Sequence, residues 1–267
     1  MRGSLILFGV CMVFLSCSKE KNYEDILVIG HGAMGLENLN SVFHDNSLEA
    51  YEFALTIDGC NGVELDAQLS KDGKLWFYHD SGLQSETNGG GCIPDRTSAE
   101  LSDITYSSVH HEKLFSLEQL DTAFLVGKKL FLDLRHYNEC QGDYVSLDQV
   151  LSQLEYYGLK HPTSFSVHCI TGRADWLAPL ITAGFKVCFP VYSMEEVAHY
   201  QQLYPDLEGF IVKNNNIRGD EVMAIKQSNK KVYIFEVRSP KGIRSAMKKH
   251  PDGIITDDIR ATLIEKY

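Results

Sequence analysis

In GVELDAQLSKDGKLWFYHD, residues 62–80, the carboxylates Glu64 and Asp66 stand two positions apart inside an apolar run, and His79 closes the run that follows. Side chains alternate faces along a strand, so the two acids share one face. A third acid, Asp133, stands in LFLDLR (130–135), with Arg135 on the same face. Three carboxylates without a cysteine make an oxygen-rich site for a hard divalent cation, Mg²⁺ or Ca²⁺. Without a cation, such a cluster repels itself and its pKa values rise. His31 and His79 are of the side-chain type that titrates near neutral pH, and two of them flanking a metal suit general acid–base chemistry.

The elements that must position these residues follow from the hydrophobic pattern. Strands are expected at 26–31, 62–68, 130–135, 164–169, 186–191, 209–213, 232–238 and 253–257, with helical segments at 46–58, 143–158, 172–184, 194–205 and 218–229. The turn signal Lys71-Asp72-Gly73 predicts that 75–79 returns antiparallel to the Glu64 strand and brings His79 back beside Asp66. With that hairpin set aside, eight strand–helix units give a (β/α)8 TIM barrel with a β-hairpin excursion after the second strand. An open doubly wound sheet has a similar element string. The charged faces favour the barrel: Glu64/Asp66, Asp133/Arg135, Ser164/Ser166/His168 and Glu236/Arg238 lie mostly towards carboxyl ends of strands, where a barrel builds its active site. A helix-packed outer face would not hold so many charges cheaply.

Together VIGHGA, NSLEAYEFAL, GVELDAQLSKDGKLWFYHD, LFLDLR, TSFSV and GIITDD resemble, in order and spacing, the glycerophosphodiester phosphodiesterase family, a TIM-barrel family of the phosphatidylinositol-phospholipase-C-like superfamily. The resemblance implies metal-dependent hydrolysis of a small-molecule glycerophosphodiester to an alcohol and glycerol 3-phosphate. It implies His31 and His79 as the acid–base pair and Glu64, Asp66 and Asp133 as metal ligands, Asp133 standing where the family has a glutamate. Arg135 falls where a lysine contacts phosphate, and Asn46 matches the asparagine of a Pro-Glu-Asn-Thr segment, so both are expected to bind substrate. Three departures stand out. The first strand reads His31-Gly32-Ala33 in place of His-Arg-Gly, His44-Asp45 replaces Pro-Glu, and Phe235-Glu236-Val237-Arg238 stands where Trp-Thr-Val-Asn is usual. Arg238, which alternation turns into the mouth, or Lys213 on the neighbouring strand, is expected to supply the missing cation. Alternatives are a lapsed enzyme that binds a phosphodiester without cleaving it, and a lyase that stops at a cyclic phosphate. A barrel glycosidase would explain neither the histidines nor the third acid.

A formal charge of −11 argues against a nucleic-acid partner, and 44% apolar content argues for a folded domain. Residues 1–17, MRGSLILFGVCMVFLSC, have the layout of a secretory signal whose end resembles a bacterial lipobox. The expectation is an exported protein, in the periplasm or at the cell surface, held at a membrane by a lipidated Cys17. Residues 18–24 would form the tether and 25–267 the barrel domain. Of the remaining cysteines, Cys60, Cys92, Cys140, Cys169 and Cys188, none forms a C-x-x-C pair. Cys92 and Cys140 follow strands, which leaves two readings open: a disulfide between them at one end of the fold, or five free thiols. Asp257-Asp258 would cap a strand end, or one of the two would orient His31. His168 reads first as a core group, His110-His111 as a solvated pair, and 87–91 (TNGGG) as a flexible loop or a lid.

Overall fold

The computed structural model describes residues 23–36 and 41–267; the signal-like segment and Cys17 lie outside the described residues. In chain order the elements are β1 (Leu27–Gly30), α1 (Leu48–Thr56), β2 (Gly62–Leu69), β3 (Leu75–Phe77), α2 (Ser98–Leu101), β4 (Phe115–Ser116), β5 (Lys129–Leu134), β6 (Tyr137–Asn138) and β7 (Asp143–Tyr144). There follow α3 (Leu147–Tyr156), β8 (Ser166–Ile170), α4 (Ala174–Thr182), β9 (Lys186–Val191), α5 (Met194–Leu203), β10 (Gly209–Lys213), α6 (Gly219–Gln227), β11 (Lys231–Val237), α7 (Pro240–Met247), β12 (Gly253–Thr256) and α8 (Ile259–Lys266).

Eight of these strands, β1, β2, β5 and β8 to β12, pair in parallel, and the β1–β2 pairing closes the ring. This is the expected barrel, and each of its strands overlaps its predicted segment. Gly62 lets β2 pass close to β5, since a Cβ there would lie 2.1 Å from the Lys129 carbonyl oxygen. The interior is filled by Ile29, Phe131, Ile170, Cys188, Ile211, Tyr233 and Ile255; it is a packed core, not a pore. A larger apolar layer lies between strands and helices. Ser47, Ser146, Ser193, Ser239 and Asp258 each cap a helix by accepting a first-turn backbone N–H.

The hairpin forms as expected, with Ala67, Gln68 and Leu69 opposite Phe77, Trp76 and Leu75. Tyr78 N donates to the Asp66 carbonyl at 2.9 Å, so His79 returns beside the acids. In place of a long helix after β2, residues 70–116 form an excursion with its own small core, including Trp76, Tyr78, Leu101 and Tyr106. The segment expected to be helical from 143 starts at Leu147, because Asp143–Tyr144 pairs with Tyr137–Asn138 around Gly142, whose φ is +71°. Cys92 and Cys140 form a disulfide (Cα–Cα 5.9 Å) that ties this second hairpin to the excursion. Cys60, Cys169 and Cys188 are free and buried. Tyr23, assigned above to the tether, is buried against the domain, its ring 5.4 Å from that of His250 at the amino end of the barrel. No helix among the described residues is long and apolar enough to cross a membrane.

Candidate active site

Parallel pairing of β2 with β5 sets Asp66 opposite Asp133, and the alternation of β2 puts Glu64 on the same side. Ligand oxygens of Glu64, Asp66 and Asp133 lie within 4.8 Å of one another. Glu64 Oε2 accepts from Gly32 N at 3.0 Å. Asp66 Oδ2 accepts from Asn46 Nδ2 at 2.8 Å, while Asp66 N donates to Asn46 Oδ1 at 2.9 Å. Arg135 Nε donates to Asp66 Oδ1 at 3.1 Å, Arg135 Nη2 donates to the same oxygen, and Asp133 Oδ2 lies 3.5 Å from that Nη2.

The electrostatics of the trio test whether a cation belongs there. Burial and the charge of Asp66 push the Glu64 carboxyl up to about 8. Burial, with Asp66 adding to it, also raises Asp133. Asp66 alone is lowered: burial works against its charge, but Arg135, His79 and His31 outweigh it. One guanidinium cannot neutralise three clustered acids, two of them buried, and every donor is an oxygen. That set fits a hard divalent cation.

Both histidines are buttressed by carboxylates. His31 Nδ1 is 2.7 Å from Asp257 Oδ1, and its Nε2 is 3.9 Å from Glu64 Oε2. Burial opposes a charge on His31, yet the Asp257 hydrogen bond and the charges of Glu64, Asp257 and Asp66 raise it to about 9. His79 Nδ1 is 2.8 Å from Asp80 Oδ1. Of the acidic pair at the end of β12, Asp257 lies on His31, and Asp258, expected to cap a strand end, instead caps the helix α8.

A family model, the glycerophosphoryl diester phosphodiesterase family, matches residues 32–261. The chain belongs to this family. It is 26% identical over 221 residues to a glycerophosphodiester phosphodiesterase of Caldanaerobacter subterraneus, covering 80% of this chain and 88% of that one. It is likewise 26% identical over 233 residues to one of Bacillus altitudinis, covering 80% and 89%. Among solved structures, an Oleispira antarctica phosphodiesterase in complex with the product sn-glycerol-3-phosphate superposes with a TM-score of 0.73 at 18% identity, covering 90% of this chain and 96% of that one. A glycerophosphodiester phosphodiesterase from Thermotoga maritima gives 0.67 at 20%, covering 90% and 97%. These likenesses agree on the barrel.

Within the family frame, the departures have local causes. Gly32 has φ +51°, and a Cβ there would lie 2.8 Å from Asp45 Cβ. An arginine at this position would be strained and would collide with the residue that replaces the family's glutamate. Asn46 is fully buried, and its amide is committed to Asp66. In this structure it holds the Asp66 carboxylate beside the other two acids.

The alternation argument for Arg238 needs correction. β11 carries a register shift between Ile234 and Val237, and Glu236 has φ +56°, so the period of two is broken there. Arg238 still joins the site, because its Nε lies 3.3 Å from Asp257 Oδ2, on the carboxylate that holds His31. Lys213 Nζ is 2.6 Å from Glu236 Oε1, so that cation is already paired.

Other expectations fall outside the centre. The 87–91 loop is tied down: Arg96 donates twice to the Gly90 carbonyl, and Asn88 N donates to the Thr105 carbonyl. His110 and His111 are exposed. Asp80 and the β6–β7 hairpin were missed as site elements; the His79-Asp80 dipeptide and the turn at Gly142 were the available signals.

His168 is a core group, not a mouth residue. It stacks on Phe131 with ring centroids 4.6 Å apart, and its Nε2 is 3.1 Å from Ser166 Oγ. Burial, with Lys129 and Lys186 nearby, pushes it down to about 3 from an ordinary 6.5. Between those pH values the unfolded chain binds the extra proton. The neutral ring's stabilisation is therefore complete above pH 6.5 and declines as the pH falls, by up to about 4–5 kcal/mol at the lower limit. Replacing His168 by Phe should flatten the fall in melting temperature between pH 6.5 and 4.

Proposed function

We propose that the chain hydrolyses glycerophosphodiesters to an alcohol and glycerol 3-phosphate, with a divalent cation held by Glu64, Asp66 and Asp133, and His31 and His79 as the acid–base pair. The observation that carries this reading is a carboxylate trio, two of its members buried and the third half-buried, meeting one guanidinium and two carboxylate-buttressed histidines at a single barrel mouth. A bound divalent cation would supply charge neutralisation at the phosphate oxygens. Arg135 adds fixed positive charge beside the same acids, where negative charge develops in the transition state. One histidine removes a proton from the nucleophile and the other delivers one to the departing alcohol oxygen. Asp257 and Asp80 hold the Nδ1 atoms, which leaves each Nε2 for the transferred proton. The product bound in the Oleispira antarctica enzyme supports the same outcome by relationship.

The test is release of glycerol 3-phosphate from glycerophosphocholine by the chain from Ser18 onward, with Mg²⁺, with Ca²⁺ and with chelator. Metal-dependent release supports the reading. A folded protein that releases nothing from any glycerophosphodiester would sink it in favour of the binding-only alternative. Early accumulation of a cyclic phosphate would mark the substrate's own hydroxyl as nucleophile, and a cyclic end product would mark a lyase.

Arg238 is the proposed substitute for the cation that Gly32 cannot provide, since it lies on Asp257, the carboxylate that orients His31, whereas Lys213 pairs with Glu236. Arg238→Ala should raise KM for a phosphodiester about tenfold, as expected for loss of one charge-assisted contact. An unchanged KM would return Arg238 to the role of a partner for Asp257.

Export and anchoring through a lipidated Cys17 are part of the same proposal. The Cys92–Cys140 disulfide supports an oxidising compartment. Tyr23 enters at the amino end of the barrel, so a tether there leaves the mouth facing away from the anchor. Detergent-phase partition that is lost in Cys17→Ser tests the anchor.

A further inference from the structure

A cavity of about 400 Å³ opens beside His79 and Arg135, and its outer wall is the β6–β7 hairpin. Tyr137 and Tyr144 are cross-strand partners on that hairpin, with ring centroids 5.2 Å apart and planes 59° apart. Their side chains are 42% and 63% exposed at the mouth, although neither packs in the core. Glu139, in the turn between them, lines the same cavity and makes no ion pair among the described residues. The cations nearby already have carboxylate partners: Arg135 has Asp66 and Asp133, and Arg173 has Asp175. The Arg173 guanidinium lies 4.0 Å from the centre of the Tyr144 ring, so this ring already accepts a cation on one face. His136, on the same wall, is held below its ordinary pKa by burial and by Arg173 and Arg135, and brings no charge at neutral pH.

The wall is fixed in place. Cys140 is bonded to Cys92, and Asn138 Nδ2 donates to Asp95 Oδ1 at 3.0 Å, so the excursion that delivers His79 and the hairpin that carries the tyrosines are joined at two points. Asn138 Oδ1 also accepts from Cys140 N at 3.1 Å and Gln141 N at 3.3 Å, which shapes the turn holding Glu139.

We propose that this cavity is the subsite for the departing alcohol and that it selects a cationic amino-alcohol, with Tyr137 and Tyr144 offering aromatic faces and Glu139 the countercharge. The inference rests on the phosphodiesterase reading. An ammonium or quaternary ammonium group is attracted by aromatic faces and by a carboxylate, whereas a neutral polyol gains only hydrogen bonds. Its oxygen, once protonated by a histidine, leaves on the side that His79 and Arg135 already border.

The experiment measures kcat/KM for glycerophosphocholine and for glycerophosphoglycerol, together with calorimetric binding of each, in the full mature chain. The parent should prefer the cationic substrate. Tyr137→Ala/Tyr144→Ala should reduce that preference about tenfold, mainly through KM, and Glu139→Gln about threefold to tenfold. Leaving the hairpin's backbone intact, Tyr137→Phe/Tyr144→Phe should retain most of the preference, since the aromatic faces remain. No preference in the parent, or an equal loss for both substrates in the alanine variant, would overturn the subsite. If neither substrate is turned over, the phosphodiesterase reading fails, and the binding arm still decides the subsite: tighter binding of glycerophosphocholine that the alanine variant loses upholds it, and equal binding overturns it.

Discussion

Glu64→Gln should lower metal-dependent turnover by about 10²–10³-fold, the scale seen when one charge-stabilising group is removed from a preorganised site. The same change should remove most of the stabilisation that saturating Mg²⁺ or Ca²⁺ confers, about 2–3 kcal/mol at a hundred times the dissociation constant. Its effect on the metal-free protein has the opposite sign. The Glu64 carboxyl, raised to about 8 by burial and Asp66, holds a proton that the unfolded chain has released above pH 4.5. The metal-free parent should therefore lose stability as the pH rises from about 4.5 through 8. Glutamine at this position ends that decline, because no charge has to be buried beside Asp66. Thermal melts across this range, with and without metal, separate the two effects. A parent that is as stable at pH 8 as at pH 5 without metal, with no response to either cation, would count against the trio as a metal centre.

His31→Gln and His79→Gln should each reduce kcat by about 10²–10⁴-fold, the range for losing a positioned proton-transfer group. Neither should abolish the metal-induced rise in melting temperature, which distinguishes them from Glu64→Gln. The double variant should fall little below the worse single one, since groups acting in one step are not additive. A 4-nitrophenyl ester of glycerol phosphate separates the roles, because its leaving group departs without a proton. The variant lacking the general acid should recover most of its rate on that ester, and the variant lacking the base should not. Asp257→Asn should cost less, about 10–100-fold, since it misorients His31 without removing it. Equal losses on both esters for both histidine variants would contradict the division of labour.

Much of the architecture was legible because it is written in local periods. β2 is buried along all eight residues and β5 along most of its length, as expected of strands covered on both faces. The Asp72-Gly73 turn set the hairpin and hence the return of His79. α7 and α8 complete the strand–helix alternation, and Ser239-Pro240 and Asp258 carry their start signals. The β6–β7 hairpin was read as the beginning of a helix, because Asp143 and Tyr144 precede an amphipathic run that starts only at Leu147.

By itself, the sequence determined that eight strands would alternate with helices and that Glu64, Asp66, Asp133 and Arg135 would share one mouth, because side-chain alternation and turn chemistry act over a few residues. Tertiary structure alone decided which distant groups complete the site. Asp257 reaches His31 across 226 positions only because the barrel closes β12 onto β1. Asn46 serves Asp66 because the segment entering α1 folds down over β2. Arg238 meets Asp257 although a bulge at Glu236 breaks the alternation that was to aim it. Cys92 finds Cys140, and not another of the five thiols, because the excursion and the second hairpin converge beside the mouth. Such contacts depend on how a closed sheet brings its ends together, a property of the whole chain that no short window of it contains.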